Sequence, residues 1–235
     1  MERFRRIYLE VLTLFNDAPS ARFGYSMAFQ SKMASFEIMH KEALRKARNL
    51  KTVMKEERSE DKVAMTETTK AWYGAIALFE AYLNSFYSLL QIIAKLTPLF
   101  YGKDRDMIPD DNFGTQVDFF VTKNPKFDPE LSSYLKDAIS WYKTLRDNRH
   151  AITHRVSAFL GFEKDGTIIF RDYPPKKEFD WLGKKSFRKI ERYLDQSSNG
   201  LFDFLEFYTQ HFRKRVPKSN KTELILRSAF QANID

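Results

Sequence analysis

Apolar residues recur at helical spacing through most of the chain, and the interruptions of that spacing divide it into segments. Before residue 98 the only breakers are Pro19, Gly24 and Gly74, which leaves room for long helices. The pattern predicts a short amphipathic helix over residues 4–15, stopping at Asn16-Asp17-Ala18-Pro19. It predicts a second helix over residues 25–58, whose heavily charged later half projects into solvent. A third, over residues 61–96, carries Ala71, Ala75, Leu78, Phe79, Tyr82, Phe86, Leu89, Ile93 and Leu96 in one stripe and reads as the core helix. Glu80, Asn84 and Gln91 form a polar line opposite that stripe. Its ordinary reading is a solvated edge, the alternative being a place beside a site.

Residues 98–129 change texture, with Pro98, Gly102, Pro109, Gly114, Pro125 and Pro129 as breakers. An irregular connection is expected here, in the form of a lid, a short helix around residues 117–121 or a disordered crossing. Asp128-Pro129-Glu130 then starts a helix: Asp128 caps, Pro129 occupies the first turn, and Glu130 faces the positive end of the dipole. That helix should bury Leu131, Leu135, Ala138, Tyr142 and Leu145, and the same stripe extended places Arg149 and Ile152 on or beside its inward face. A charge entering an apolar stripe is costly without a partner, so Arg149 is expected to meet an acid, an interface or a ligand.

Past His154, residues 158–162 and 167–170 are β-prone and flank Asp165-Gly166, a strong hairpin signal closed by Pro174-Pro175. A final helix over residues 184–212 carries Phe187, Ile190, Tyr193, Leu194, Leu201, Leu205 and Tyr208, with Gly200 as a kink point. Residues 213–235 read as a basic tail or short helix. The expected fold is mainly α: one domain over residues 1–235, an antiparallel bundle of long helices with a small β-hairpin insertion after the motif helix.

Composition narrows the chemistry. The 22 Phe and 11 Tyr imply a core built largely from aromatic side chains. With no cysteine, disulfides, thiolate metal sites and a cysteine nucleophile are excluded, and a reducing compartment fits. The first residues, Met1-Glu2-Arg3-Phe4-Arg5-Arg6, lead into an amphipathic segment rather than an apolar leader, and no window approaches a membrane span; a cytoplasmic location without membrane attachment is expected. The net charge of +8 favours a polyanionic partner, with basic density near residues 184–192 and 213–221.

The candidate chemistry lies in Leu145-Arg146-Asp147-Asn148-Arg149-His150-Ala151-Ile152-Thr153-His154-Arg155, where the apolar spacing gives way to arginines, amides and two histidines. An arginine holds a phosphate and a histidine moves a proton near neutrality, which together are the minimum for metal-free phosphodiester cleavage. His150 and His154, four apart, raise a metal site as a rival. The glutamate of a His-Glu-x-x-His pattern and a third ligand are both missing nearby, so no metal or other cofactor is expected.

Arg149-His150-Ala151-Ile152-Thr153-His154, an arginine followed by a polar residue and then a histidine at the end of an amphipathic helix, resembles the signature of the HEPN superfamily. The likeness extends over residues 60–212. It implies an all-helical, homodimeric, metal-independent endoribonuclease of the kind found in toxin–antitoxin, antiphage or RNA-processing systems, with RNA as substrate and an antitoxin or defence component as a further partner. Carried over, Arg149 and His154 are the catalytic positions. Arg146, Asn148, His150, Thr153 and Arg155 would bind substrate or support the site, helix-end solvation being the alternative for such residues. Some members carry a tyrosine two positions beyond the histidine as a target for nucleotidylation; here that position is Val156, which argues against that form of control. On an ideal helix Arg149 and His154 point about 140° apart, so either the helix ends between them or two chains share the site. The alternative function is a non-catalytic RNA- or nucleotide-binding or regulatory module of the same fold.

Overall fold

A computed structural model describes residues 2–18, 23–56, 62–154, 160–163, 167–171 and 187–216, and these are mainly helical. Helix α1 spans Glu2–Asp17, α2 Phe23–Glu56 and α3 Lys62–Leu96, each within a turn of the bounds predicted by hydrophobic spacing. The charged second half of α2 differs from expectation: Ala43, Ala47 and Leu50 are buried along one side. Two alanines and a leucine at helical spacing suffice for a packed face among the charges.

The connection expected after α3 takes the short-helix form. A 3-10 helix, Thr97–Met107, is interrupted at Gly102, and α4, Phe113–Asp118, runs into a π turn at Phe119–Lys123. Asn112 caps α4 by accepting the Thr115 N–H at 2.8 Å. The buried Gln116 amide donates to the carbonyls of Ala94 and Pro109, and Phe113, Phe119 and Phe120 are buried around it. Apolar anchors and satisfied backbone groups thus order a segment rich in breakers.

The expected single helix after Asp128 is two, α5 at Pro129–Ala138 and α6 at Ser140–His154, divided at Ile139 with φ −93° and ψ 18°. Strands β1 (Leu160–Phe162), β2 (Ile168–Arg171) and β3 (Phe187–Lys189) form an antiparallel sheet in that order, with Leu160 opposite Phe170 and Ile169 opposite Lys189. The hairpin is present; Asp165-Gly166 and Pro174-Pro175 lie outside the described residues, as do residues 217–235. Residues 187–189, expected to be helical, pair instead with the open side of β2, where ladder hydrogen bonds outweigh local spacing. Helix α7, Ile190–Arg213, then continues through Gly200 without interruption.

The chain divides into two compact units. The first comprises Met1–Met33, Ser88–Ile139 and Gly200–Asp235. Its core is aromatic: Phe100 stacks on Phe212 with centroids 4.7 Å apart, and Phe15 meets Phe29 edge-on at 5.1 Å. A polar knot lies within it. The buried carboxylate of Asp128 caps α5 through the Leu131 N–H and accepts from Tyr101 Oη at 2.6 Å and Arg215 Nη2 at 2.7 Å, while His211 Nε2 sits 2.8 Å away. Burial raises the Asp128 pKa, but the hydrogen bonds from His211, Tyr101 and Leu131 outweigh it and hold the carboxyl well below the usual carboxylate range.

The second unit comprises Ala34–Tyr87 and Ser140–Asn199. Phe79 and Tyr193 both pack on Phe170 of β2, and Tyr82 bonds through its hydroxyl to Ser197 at 2.7 Å. Phe86 stacks on Trp141 of α6 at 5.5 Å. The helical stretch Thr68–Met107 is long and apolar enough, by length and composition, to cross a membrane, which exceeds the expectation from sequence. Phe79, Tyr82 and Phe86 in one unit and Leu89, Leu90 and Ile93 in the other are fully or almost fully buried, as in a core helix.

Candidate functional site

The site lies in the second unit, where α6 packs on α3. Tyr142, Leu145, Asn148 and Ala151 make the buried line of α6. Arg149 and Ile152 flank it, half-buried, so the charge sits at the edge of the apolar stripe and Asn148 takes the enclosed position.

Two residues of α3, three apart and therefore on one helical face, receive Arg149. Its Nε points at Oδ1 of Asn84 over 3.4 Å, a long contact, and its guanidinium carbon lies 4.5 Å from the centre of the Tyr87 ring. Among the described residues Arg149 has no carboxylate partner. The sequence called for an acid, an interface or a ligand; inside this unit the protein supplies an amide and a ring. Both leave the positive charge intact: the ring face attracts a cation, and the amide oxygen steadies one nitrogen without neutralising it. The two terminal nitrogens, the fork suited to a phosphate, have no hydrogen-bond partner among the described residues.

The other motif residues are arranged differently. Arg146 is occupied, bonding Oδ1 of Asp147 through both Nε and Nη2 at 3.0 Å. Asn148 has no exposure at all, so any contribution it makes comes from behind the surface. His150 and Thr153 are exposed. Helix α6 is unbroken through His154, so on its backbone the positions of Arg149 and His154 lie about 140° apart. The side chain of His154, and Arg155 altogether, lie outside the described residues. Among the described residues no group of three His, Cys, Asp or Glu side chains is placed to hold a metal ion.

Tyr142 is not available as a base: burial raises its hydroxyl pKa, assisted by Tyr87 and Asp147 and opposed by Arg146. On the far side of α6, about 180° from Arg149, Ser140 begins a cleft of about 410 Å³ that Trp141 and Thr144 share with Arg188 and Gln196. This cleft and Arg149 therefore do not converge.

Sequence reasoning missed His40. It stacks on Phe36 at 6.0 Å and lies 5.8 Å from the Tyr82 ring, and its buried Nε2 has no hydrogen-bond partner. Burial lowers its pKa, more than Asp195 and a hydrogen bond with the Leu194 backbone raise it. Nothing in its sequence surroundings marks it out, because the rings that enclose it come from another turn of α2 and from α3.

Compared with protein-family models, with curated proteins and with solved structures, the chain matches none of them.

Proposed function

We propose that this protein is a metal-independent endoribonuclease with a HEPN-like site, acting as a homodimer. The observation that carries the reading is Arg149: a guanidinium held by Tyr87 and Asn84, with no carboxylate among the described residues to quench it. Such a group binds a phosphodiester and stabilises the charge that builds on its equatorial oxygens during attack by the RNA 2′-hydroxyl. His154 moves the protons, and the products are a 2′,3′-cyclic phosphate and a 5′-hydroxyl. Because the backbone positions of Arg149 and His154 lie about 140° apart on unbroken α6, the pair is completed across two chains, which also supplies two histidines as acid and base. In this reading a cognate antitoxin or defence component controls the cleavage, and the protein works in the cytoplasm.

The same helical phase favours a second reading, a module that holds RNA on Arg149 without turnover. One experiment separates them. Purified protein is incubated with total RNA and chelator beside His154→Ala and Arg149→Ala, and the ends of any fragments are analysed. Cleavage with cyclic phosphate ends, lost in both variants, is the expected result. RNA binding that needs Arg149 but gives no cleavage selects the second reading, and cleavage unchanged in the variants removes the site. A strictly monomeric mass at working concentration removes the composite site.

A further inference from the structure

The basic density of residues 184–192 is not used by the Arg149 site, and its described part lines a cavity of its own. The cavity holds about 200 Å³ in the second unit, between α2, the β2–β3 pair and the first turn of α7. Its floor is apolar and closed, made by Ala47, Ile168 and Ile190, each under 5 % exposed. Its rim carries Lys51 from α2, Lys189 from β3 and Arg192 from α7. The chain thus gathers three cations that are remote in sequence or in structural element around one half-enclosed hollow.

Carboxylates nearby offset only part of this charge. Lys189 meets Glu163 at 3.2 Å, and Glu191, which also lines the cavity, is turned to Arg48 at 3.7 Å. Neither Lys51 nor Arg192 has a carboxylate within ion-pair distance among the described residues. Like charges held together repel unless an anion joins them, and half-enclosed walls strengthen both effects relative to open water. Thr167 adds a hydroxyl at the rim. Cations and a hydroxyl over an apolar floor match a phosphate group attached to a sugar: the charge meets the rim and the carbon skeleton meets the floor.

We infer that this cavity is a phosphate-binding site, separate from Arg149 and independent of any cleavage there. The ligand is a phosphate borne free, on a mononucleotide or in an RNA backbone, and the test distinguishes these sources. Inorganic phosphate, a 5′-mononucleotide and a short oligoribonucleotide are titrated in turn into the isotope-labelled full chain at low salt, following backbone amide resonances. The expected result is that at least one of the three shifts the amides of Thr167, Ile168 and Arg192. The dissociation constant should rise about fivefold or more in Lys51→Ala and Arg192→Ala, rise further in Lys51→Glu, and fall off steeply with added salt.

Lys136→Ala, which removes an exposed cation of α5 outside the cavity, should leave the constant unchanged, and so should Arg149→Ala when the probe is inorganic phosphate or the mononucleotide. The probe bound tightest identifies the source. If none of the three shifts these amides, or if Lys136→Ala weakens binding as much as Lys51→Ala does, the inference is wrong. RNA cleavage is not read in this experiment, so the endoribonuclease reading stands or falls apart from it.

Discussion

The guanidinium of Arg149 lies over the ring of Tyr87, 4.5 Å from its centre, while Asn84, one turn earlier on the same face of α3, approaches its Nε. This arrangement keeps the arginine charged and oriented at the edge of an apolar helix stripe. If the charge is there for an anionic ligand, closing it with a carboxylate should damage function and spare the fold. Asn84→Asp is expected to weaken RNA binding or cleavage about tenfold or more, with thermal stability unchanged or slightly raised by the new ion pair. Tyr87→Phe should stay near the wild type, whereas Tyr87→Leu should lose about 0.5–1 kcal/mol of binding, read as RNA affinity at fixed salt.

Asp128 ties the start of α5 to Tyr101, His211 and Arg215. Asp128→Asn keeps a competent helix cap through Oδ1 but removes the charge and puts an amide donor where Oδ2 accepts from Tyr101 and Arg215, so the loss should be about 3 kcal/mol, the low end for a broken buried pair because Arg215 is partly exposed. The folded pKa of Asp128 is depressed, so its contribution is present above the ordinary carboxylate value of about 4 and disappears as pH falls below it toward the folded value. Urea unfolding from pH 6 down to pH 3 should show this loss in the wild type and a smaller one in Asp128→Asn.

His40 works in the opposite chemical sense. Burial lowers its folded pKa, so below about 6.5 the unfolded chain takes up a proton that the folded chain refuses. Stability should therefore fall as pH drops from 7 through that window, by at most about 1.4 kcal/mol per pH unit, and level off below the folded pKa. His40→Phe should flatten this part of the profile, as measured by denaturant midpoints at pH 5, 6 and 7.

Two glycines should respond with opposite signs to the same substitution. Gly102 has φ 56° and ψ −118° in the break of the 3-10 helix, a conformation open to glycine, so Gly102→Ala should cost about 1–3 kcal/mol through backbone strain alone. Gly74 lies within α3, and a Cβ there meets nothing within 4 Å, so Gly74→Ala should stabilise by about 0.5–1 kcal/mol. Thermal unfolding of the two variants checks both.

Long helices and the hairpin were legible because each is written in local periodicity: the stripe from Ala75 to Leu96 stands in the sequence as it stands in α3. The strand at Phe187–Lys189 was not, since its structure comes from β2, which is distant along the chain. Arg149 declared itself as a charge at the border of an apolar stripe, but its partners did not. Asn84 belonged to a polar line that reads as solvated edge, and Gln91, in the same line, accepts the Phe113 N–H in the first unit instead. The Asp128 knot was half visible, as a helix cap. Its other members are dispersed over residues 101 to 215 and meet only by folding.

Strand β3 occupies one end of the three-stranded sheet, and two of its three residues are Arg188 and Lys189. Basic side chains on a terminal strand discourage other chains from extending the ladder. By this argument Lys189, which also lines the cavity, should oppose edge-to-edge pairing of sheets. Neutralising it should make the protein stickier as well as less attractive to anions, and for that reason Lys51 and Arg192 are the cleaner positions at which to alter the pocket.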